Sequence, residues 1–154
     1  NKSQPKWWEY DIKEPFIKML PTNIAASIGL AQLQKIDKLQ AKREKIWKIY
    51  QSEFKDISWI KNPVNAKSID RHSYFTYCIR VPERDKIANY LLQNNIYTTL
   101  RYHPLHFNPL YNQVDLNLKN SEVLNKTGLN IPLHPRLTDE NIEKVVNKIK
   151  KFDI

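Results

Sequence analysis

The sequence predicts a small α/β domain in which elements alternate in the order helix, strand, helix, strand, helix, strand, helix. Three observations carry this. Apolar residues recur at helical spacing through residues 22–54, a capped amphipathic run closes the chain over 138–152, and three short β-branched or aromatic runs lie between them. Three strands without internal repeats imply a small three-stranded sheet with helices packed on one face.

The elements follow in order. Residues 1–21 read as an extended arm, because Trp7-Trp8-Glu9-Tyr10-Asp11-Ile12 is followed by Pro15 and Pro21, which oppose a continuous helix. Thr22 then stands as an N-cap before Ile24, Ile28, Ala31, Ile36, Leu39, Ile46 and Tyr50, so that one long helix is expected from 22 to 54. Its length, roughly 45 Å at ~1.5 Å per residue, suits a connector between two lobes. Tyr74 to Val81 reads as a strand stopped by Pro82, and Arg84 to Gln93 as a helix stopped by Asn94-Asn95. Ile96 to Tyr102 is expected as a second strand ended by Pro104. A short helix from about Ser121 stops at Gly128, and Leu129 to Leu133 forms the third strand. Thr138 caps the last helix, with Asp139 and Glu140 at its positive end and Lys148, Lys150 and Lys151 at its negative end. Its apolar stripe is Ile142, Val145, Val146, Ile149 and Phe152.

Composition narrows the function classes. A chain of 154 residues fits one domain and buries roughly 70% of its unfolded surface. Hydrophobic residues at 41% and charged residues at 27% exclude a disordered composition. The apolar windows Ile28 to Leu33 and Ile57 to Ile60 fall far short of the ~20 residues a membrane helix needs, so no membrane partner is expected. With no secretory signal in view and a single cysteine, Cys78, the expected compartment is the cytoplasm. The chain does not begin with Met and holds only two glycines, Gly29 and Gly128, which suggests a piece of something larger. The net charge of +9 is carried by scattered lysines, as solvated helix faces carry them.

One segment gathers chemistry. Arg101-Tyr102-His103-Pro104-Leu105-His106 places a guanidinium, a phenol and two imidazoles at a strand end, where loops present binding groups. Its H-x-x-H spacing invites zinc, but Pro104 prevents helical placement and no Cys or acid lies near, so no metal is expected. His72 and His134, also at strand ends, are read as structural hydrogen-bonding groups. Nucleophile elbows and phosphate-binding glycine loops are absent. Asn23 lies in the first turn of the long helix, where free amides and the helix dipole favour a phosphate as readily as a plain cap.

Three ordered segments then carry a resemblance: Thr22-Asn23-Ile24-Ala25-Ala26-Ser27-Ile28-Gly29-Leu30-Ala31-Gln32-Leu33; Tyr102-His103-Pro104-Leu105-His106 with Pro109 and Tyr111; and Ile131-Pro132-Leu133-His134-Pro135 with Leu137-Thr138-Asp139-Glu140. Together they resemble the C-terminal part of the DegT/DnrJ/StrS family of nucleotide-sugar aminotransferases. The resemblance implies the small domain of a fold-type I enzyme dependent on pyridoxal 5'-phosphate. Such an enzyme is a homodimer with shared active sites and moves an amino group from glutamate to a nucleotide-linked keto sugar, as in cell-surface polysaccharide or lipopolysaccharide sugar biosynthesis. Residues 1–21 would then be an arm of the missing large domain, and 22–154 the small domain with its helix over 22–54.

Residue by residue, Asn23 matches a ligand to the cofactor phosphate, and Arg101, Tyr102, His103 and His106 match a loop that approaches the nucleotide-sugar in the partner's site. The family's cofactor-bearing lysine lies in Ser-x-x-Lys ahead of a Gly-rich stretch; no Ser-x-x-Lys here is followed by such a stretch, so the fragment alone is expected to be inactive, with no catalytic residue of its own. Lys18-Met19-Leu20-Pro21 and Ala25 depart from the family pattern around the first motif. Two alternatives stand beside this reading: a sugar dehydratase of the same family, and a basic nucleic-acid module suggested by the charge and by Trp47, Tyr50 and Trp59. The fold kept for regulation or assembly is a third.

Overall fold

The computed structural model describes residues 20–100, 103–111 and 116–153. It divides the chain into two compact units, 1–35 and 36–154. In the first, the described part is a single helix, α1 (Asn23–Leu33). Thr22 caps it as expected, its hydroxyl accepting from the Ala25 amide at 3.1 Å. No residue of α1 is buried: Ile24, Ile28, Leu30 and Leu33 all stand open.

The second unit contains α2 (Ile36–Phe54), β1 (Tyr77–Arg80), α3 (Arg84–Gln93), α4 (Lys119–Thr127), β2 (Gly128–Ile131) and α5 (Asp139–Lys150). The helix expected over 22–54 is thus interrupted by a turn at Gln34–Lys35, where the Lys35 amide bonds the Gln32 carbonyl at 3.0 Å in a tightened i→i−3 pattern. The apolar pattern changes character at the same place. Ahead of it apolar side chains point all round, whereas α2 keeps one buried stripe of Ile46, Trp47, Tyr50 and Phe54.

β1 and β2 pair antiparallel, with Tyr77 opposite Ile131 and Ile79 opposite Leu129. These four side chains share one face. They meet the stripes of α2, of α3 (Ile87, Leu91) and of α5 (Ile142, Val145, Val146, Ile149) in one core. Tyr77 packs edge-on against Trp47 and Tyr50, at centroid distances of 4.8 and 5.1 Å. Cys78 points the other way, towards α4, and burial pushes its thiol up from the ordinary range.

The second expected strand, Ile96 to Tyr102, shortens among the described residues to a single bridge, in which Thr99 exchanges both backbone hydrogen bonds with Asn130, at 2.8 and 3.1 Å. The register explains why. Antiparallel pairing of 99 with 130 sets residue 97 opposite Pro132, which has no amide to donate, and Tyr97 is left 74% exposed.

Local chemistry set the other boundaries. α3 ends in a Schellman motif: the Ile96 amide reaches the Leu91 carbonyl and the Asn95 amide that of Leu92, both at 2.9 Å. Asn95 takes φ 58°, a left-handed conformation that asparagine tolerates. α5 has the cap, the charge order and the four buried stripe residues read from its sequence. Gly128 joins α4 to β2 where a side chain has no room, since a Cβ would lie 2.7 Å from the Leu124 carbonyl oxygen.

Gly128→Ala should therefore lower unfolding stability by about 1–3 kcal/mol, read as a shift of the urea midpoint at unchanged slope. A second expectation concerns alkali. Burial raises Tyr50 and Tyr77 well above the ordinary phenol value of 10.0. Raised phenols favour the fold fully below that value, and this contribution is lost as pH climbs through and above it. In an absorbance titration at 295 nm these two of the eight tyrosines should ionise only as the chain unfolds, and Tyr50→Phe or Tyr77→Phe should each remove one from that late step.

Candidate functional site

The sequence-predicted site residues fall in both units, and each place is described on its own. At α1, Asn23 is the first helical residue and is exposed. Thr22 occupies the Ala25 amide, so the amides of Asn23 and Ile24 point out of the first turn without an intrahelical acceptor. Ser27 Oγ donates to the Asn23 carbonyl at 2.8 Å, a bond to the backbone that does not use the Asn23 side chain. An outward amide beside free backbone N–H groups at a positive dipole end can hold a phosphate oxygen.

In the second unit, Arg101 and Tyr102 lie outside the described residues. The segment after them is ordered by its own backbone. Pro104 is buried, and two single 3-10 turns follow, Leu105–Phe107 and Pro109–Tyr111. The amides of Phe107 and Asn108 bond the carbonyls of Pro104 and Leu105 at 3.0 and 2.9 Å, while Asn108 Oδ1 accepts from Leu110 at 3.0 Å.

The two histidines of this segment have different surroundings. His103 is exposed, with Phe107 beside it at a centroid distance of 5.9 Å. The His106 side chain is only 7% exposed, tilted against Phe107 at 4.2 Å, and its Nε2 lies 3.4 Å from Glu122 Oε1 in the first turn of α4. Glu122 was not among the residues picked from sequence. It stands 16 positions from His106 across a loop, where neither period nor motif links them. His106, Leu105, Pro109, Leu110, Leu116 and Leu118 border a shallow cleft of about 510 Å³.

His72 and His134 act as structural groups, as read from the sequence. His72 Nδ1 accepts from the Tyr74 amide at 2.8 Å, and His134 Nδ1 from the Arg136 amide at 3.2 Å. Among the described residues no group of three or more His, Cys, Asp or Glu is placed to hold a metal ion, and no helix is long and apolar enough to cross a membrane. The aromatics that suggested nucleic-acid stacking are used by the core: Trp47 and Tyr50 are 3% and 0% exposed, and Trp59 packs on Phe152. Several lysines on the helices are paired with acids, as in Lys45–Asp139 at 2.8 Å and Lys48–Glu44 at 2.8 Å. The second pair draws the Glu44 carboxyl below and the Lys48 ammonium above their ordinary values.

Residues 5–150 match the family profile described as the DegT/DnrJ/EryC1/StrS aminotransferase family. The dTDP-4-dehydro-2,3,6-trideoxy-D-glucose 4-aminotransferase of Saccharopolyspora spinosa is 29% identical, over 97% of this chain and 39% of its own length. Among solved structures, the aminotransferase TlmJ from Streptoalloteichus hindustanus superposes with a TM-score of 0.85 at 28% identity, covering 94% of this chain and 40% of that one. Spr1654 from Streptococcus pneumoniae, in its PLP form, superposes with a TM-score of 0.82 at 29% identity, covering 93% and 38%. The chain spans about 40% of the length of such relatives.

Proposed function

Because the chain belongs to the DegT/DnrJ/EryC1/StrS aminotransferase family, we propose that it is the C-terminal part of a pyridoxal-phosphate-dependent enzyme that transfers an amino group from glutamate to a nucleotide-linked keto sugar. The observation that carries this reading is the family match over residues 5–150, together with relatives and neighbours that are aminotransferases. On this reading residues 1–21 belong to a large domain and 22–154 form the small one.

The cofactor, when bound, supplies the electron sink that makes amino transfer possible. This chain's part is binding and orientation. The first turn of α1 fits a phosphate: the exposed Asn23 amide and the free N–H groups beside it are the donors such an anion needs. Arg101, Tyr102 and His103, with His106 in the same motif, are proposed to face the nucleotide-sugar in the site of a partner subunit. Support for a partner comes from the surface. α1 is open on every side, and Leu105, Phe107, Leu110, Leu116, Leu118 and Leu124 remain exposed around the 103–111 segment, apolar area of the kind that interfaces cover. Homodimerisation and a cytoplasmic place belong to the same proposal.

The lysine that would carry the cofactor is assigned to the region before this chain. Reading the coding sequence immediately upstream tests the whole proposal: a Ser-x-x-Lys followed by a Gly-rich stretch is expected there, and its absence would overturn the reading. In the enzyme of full family length, Asn23→Ala should weaken cofactor affinity about tenfold or more, the loss of one hydrogen bond to a charged group. An unchanged affinity in a fluorescence titration would remove Asn23 from the phosphate site.

A further inference from the structure

The segment 103–111 has little holding it in place. Among its described residues only Pro104 is buried and only His106 half-buried, while Leu105, Phe107, Leu110 and Tyr111 are 66%, 48%, 81% and 53% exposed. Its backbone hydrogen bonds close within the segment, between Pro104 and Phe107, Leu105 and Asn108, and Asn108 and Tyr111. They fix its shape and not its position on the domain.

Position must come from what the segment touches elsewhere. Among the described residues, the polar contact that leaves it is His106 Nε2 to Glu122 Oε1 at 3.4 Å, with the imidazole 7% and the carboxylate 30% exposed. A buried imidazole nitrogen without a partner is costly, so the contact has a preferred geometry. Glu122 is well mounted to provide it. It sits in the first turn of α4, where the helix dipole favours a carboxylate, and α4 runs straight into β2, whose four residues are all buried. The Val81 amide bonds the Thr127 carbonyl at 2.9 Å, which ties the end of α4 to the chain leaving β1. On the other side of the contact, the His106 ring lies 4.2 Å from that of Phe107, which in turn lies 5.9 Å from that of His103. A chain of contacts therefore runs from the sheet through α4, Glu122, His106 and Phe107 to the exposed His103.

We propose that Glu122 is a positioning residue: through His106 it anchors segment 103–111 to α4 and sets the outward presentation of His103. Its functional value rests on the proposed reading that His103 faces the nucleotide-sugar. The anchoring itself does not.

The test uses the 154-residue chain with Glu122→Ala and Glu122→Gln. In Glu122→Ala, amide hydrogen exchange over 105–111 should quicken about tenfold, as expected for loss of one charge-assisted contact. Amides of β2 and α5 should keep their protection. The ring signals of both His106 and His103 should move in the NMR spectrum, although Glu122 touches only the first. Glu122→Gln, which keeps an acceptor oxygen, should restore most of the protection and the His103 signal. Unchanged exchange over 105–111 in Glu122→Ala, or a His103 signal that stays in place, would overturn the proposal, as would equal damage from Gln and Ala. A separate arm addresses the reading beneath it, with dTDP as the probe in the enzyme of full family length. If Glu122→Ala frees the segment while dTDP binding is unaltered, the anchor stands and the nucleotide role of His103 fails.

Discussion

The domain is organised around the Tyr50 hydroxyl, which is wholly buried and donates to the Pro132 carbonyl at 2.8 Å. Pro132 follows the last residue of β2 and lacks the amide that the lane shared with Thr99 would use next. Its carbonyl would be an unsatisfied acceptor in the interior without a donor from outside the sheet. Tyr50 supplies that donor from α2, and its ring also stacks on Phe54 and meets Tyr77 edge-on. One side chain thus ties α2, β1 and the end of β2 together. It also fixes where the chain leaves the sheet towards α5. The same burial keeps its phenol protonated, so that this interaction is maintained across the ordinary pH range.

Features governed by near neighbours were legible in the sequence. Thr138 with Asp139 and Glu140 announced α5, and Asn94-Asn95 announced the end of α3, because caps and left-handed stops act within a turn of their own position. Features set by distant partners were not. Ile96 to Tyr102 has strand composition, but how far a strand extends depends on what lies opposite, and Pro132 lies opposite Tyr97. The interruption at Gln34–Lys35 has no glycine or proline to mark it; only the change from apolar residues on all sides to a single stripe does so. The site shows the same division. The histidines at 103 and 106 were visible as a cluster, yet their spacing did not show that one is exposed and the other buried against Glu122.

Under the proposed function this domain serves a larger enzyme. Its core is complete: the stripes of α2, α3 and α5 close on one face of the β1–β2 pair. The elements proposed to meet cofactor and substrate are exposed. α1 has no buried residue, and the 103–111 segment is fastened through Pro104 and one polar contact. A closed core with an exposed, locally ordered 103–111 segment suits the proposed role. The family match covers residues 5–150, and the chain spans about 40% of the length of its relatives.

The central claim is that this chain contributes binding groups without the lysine that carries the cofactor. It is tested most directly by incubating the isolated chain with pyridoxal 5'-phosphate and glutamate, measuring amino transfer, and mapping any cofactor fixed by borohydride reduction. The expected result is no transfer and no single lysine labelled above the others. One lysine labelled stoichiometrically, with transfer that vanishes when that lysine is replaced, would contradict it.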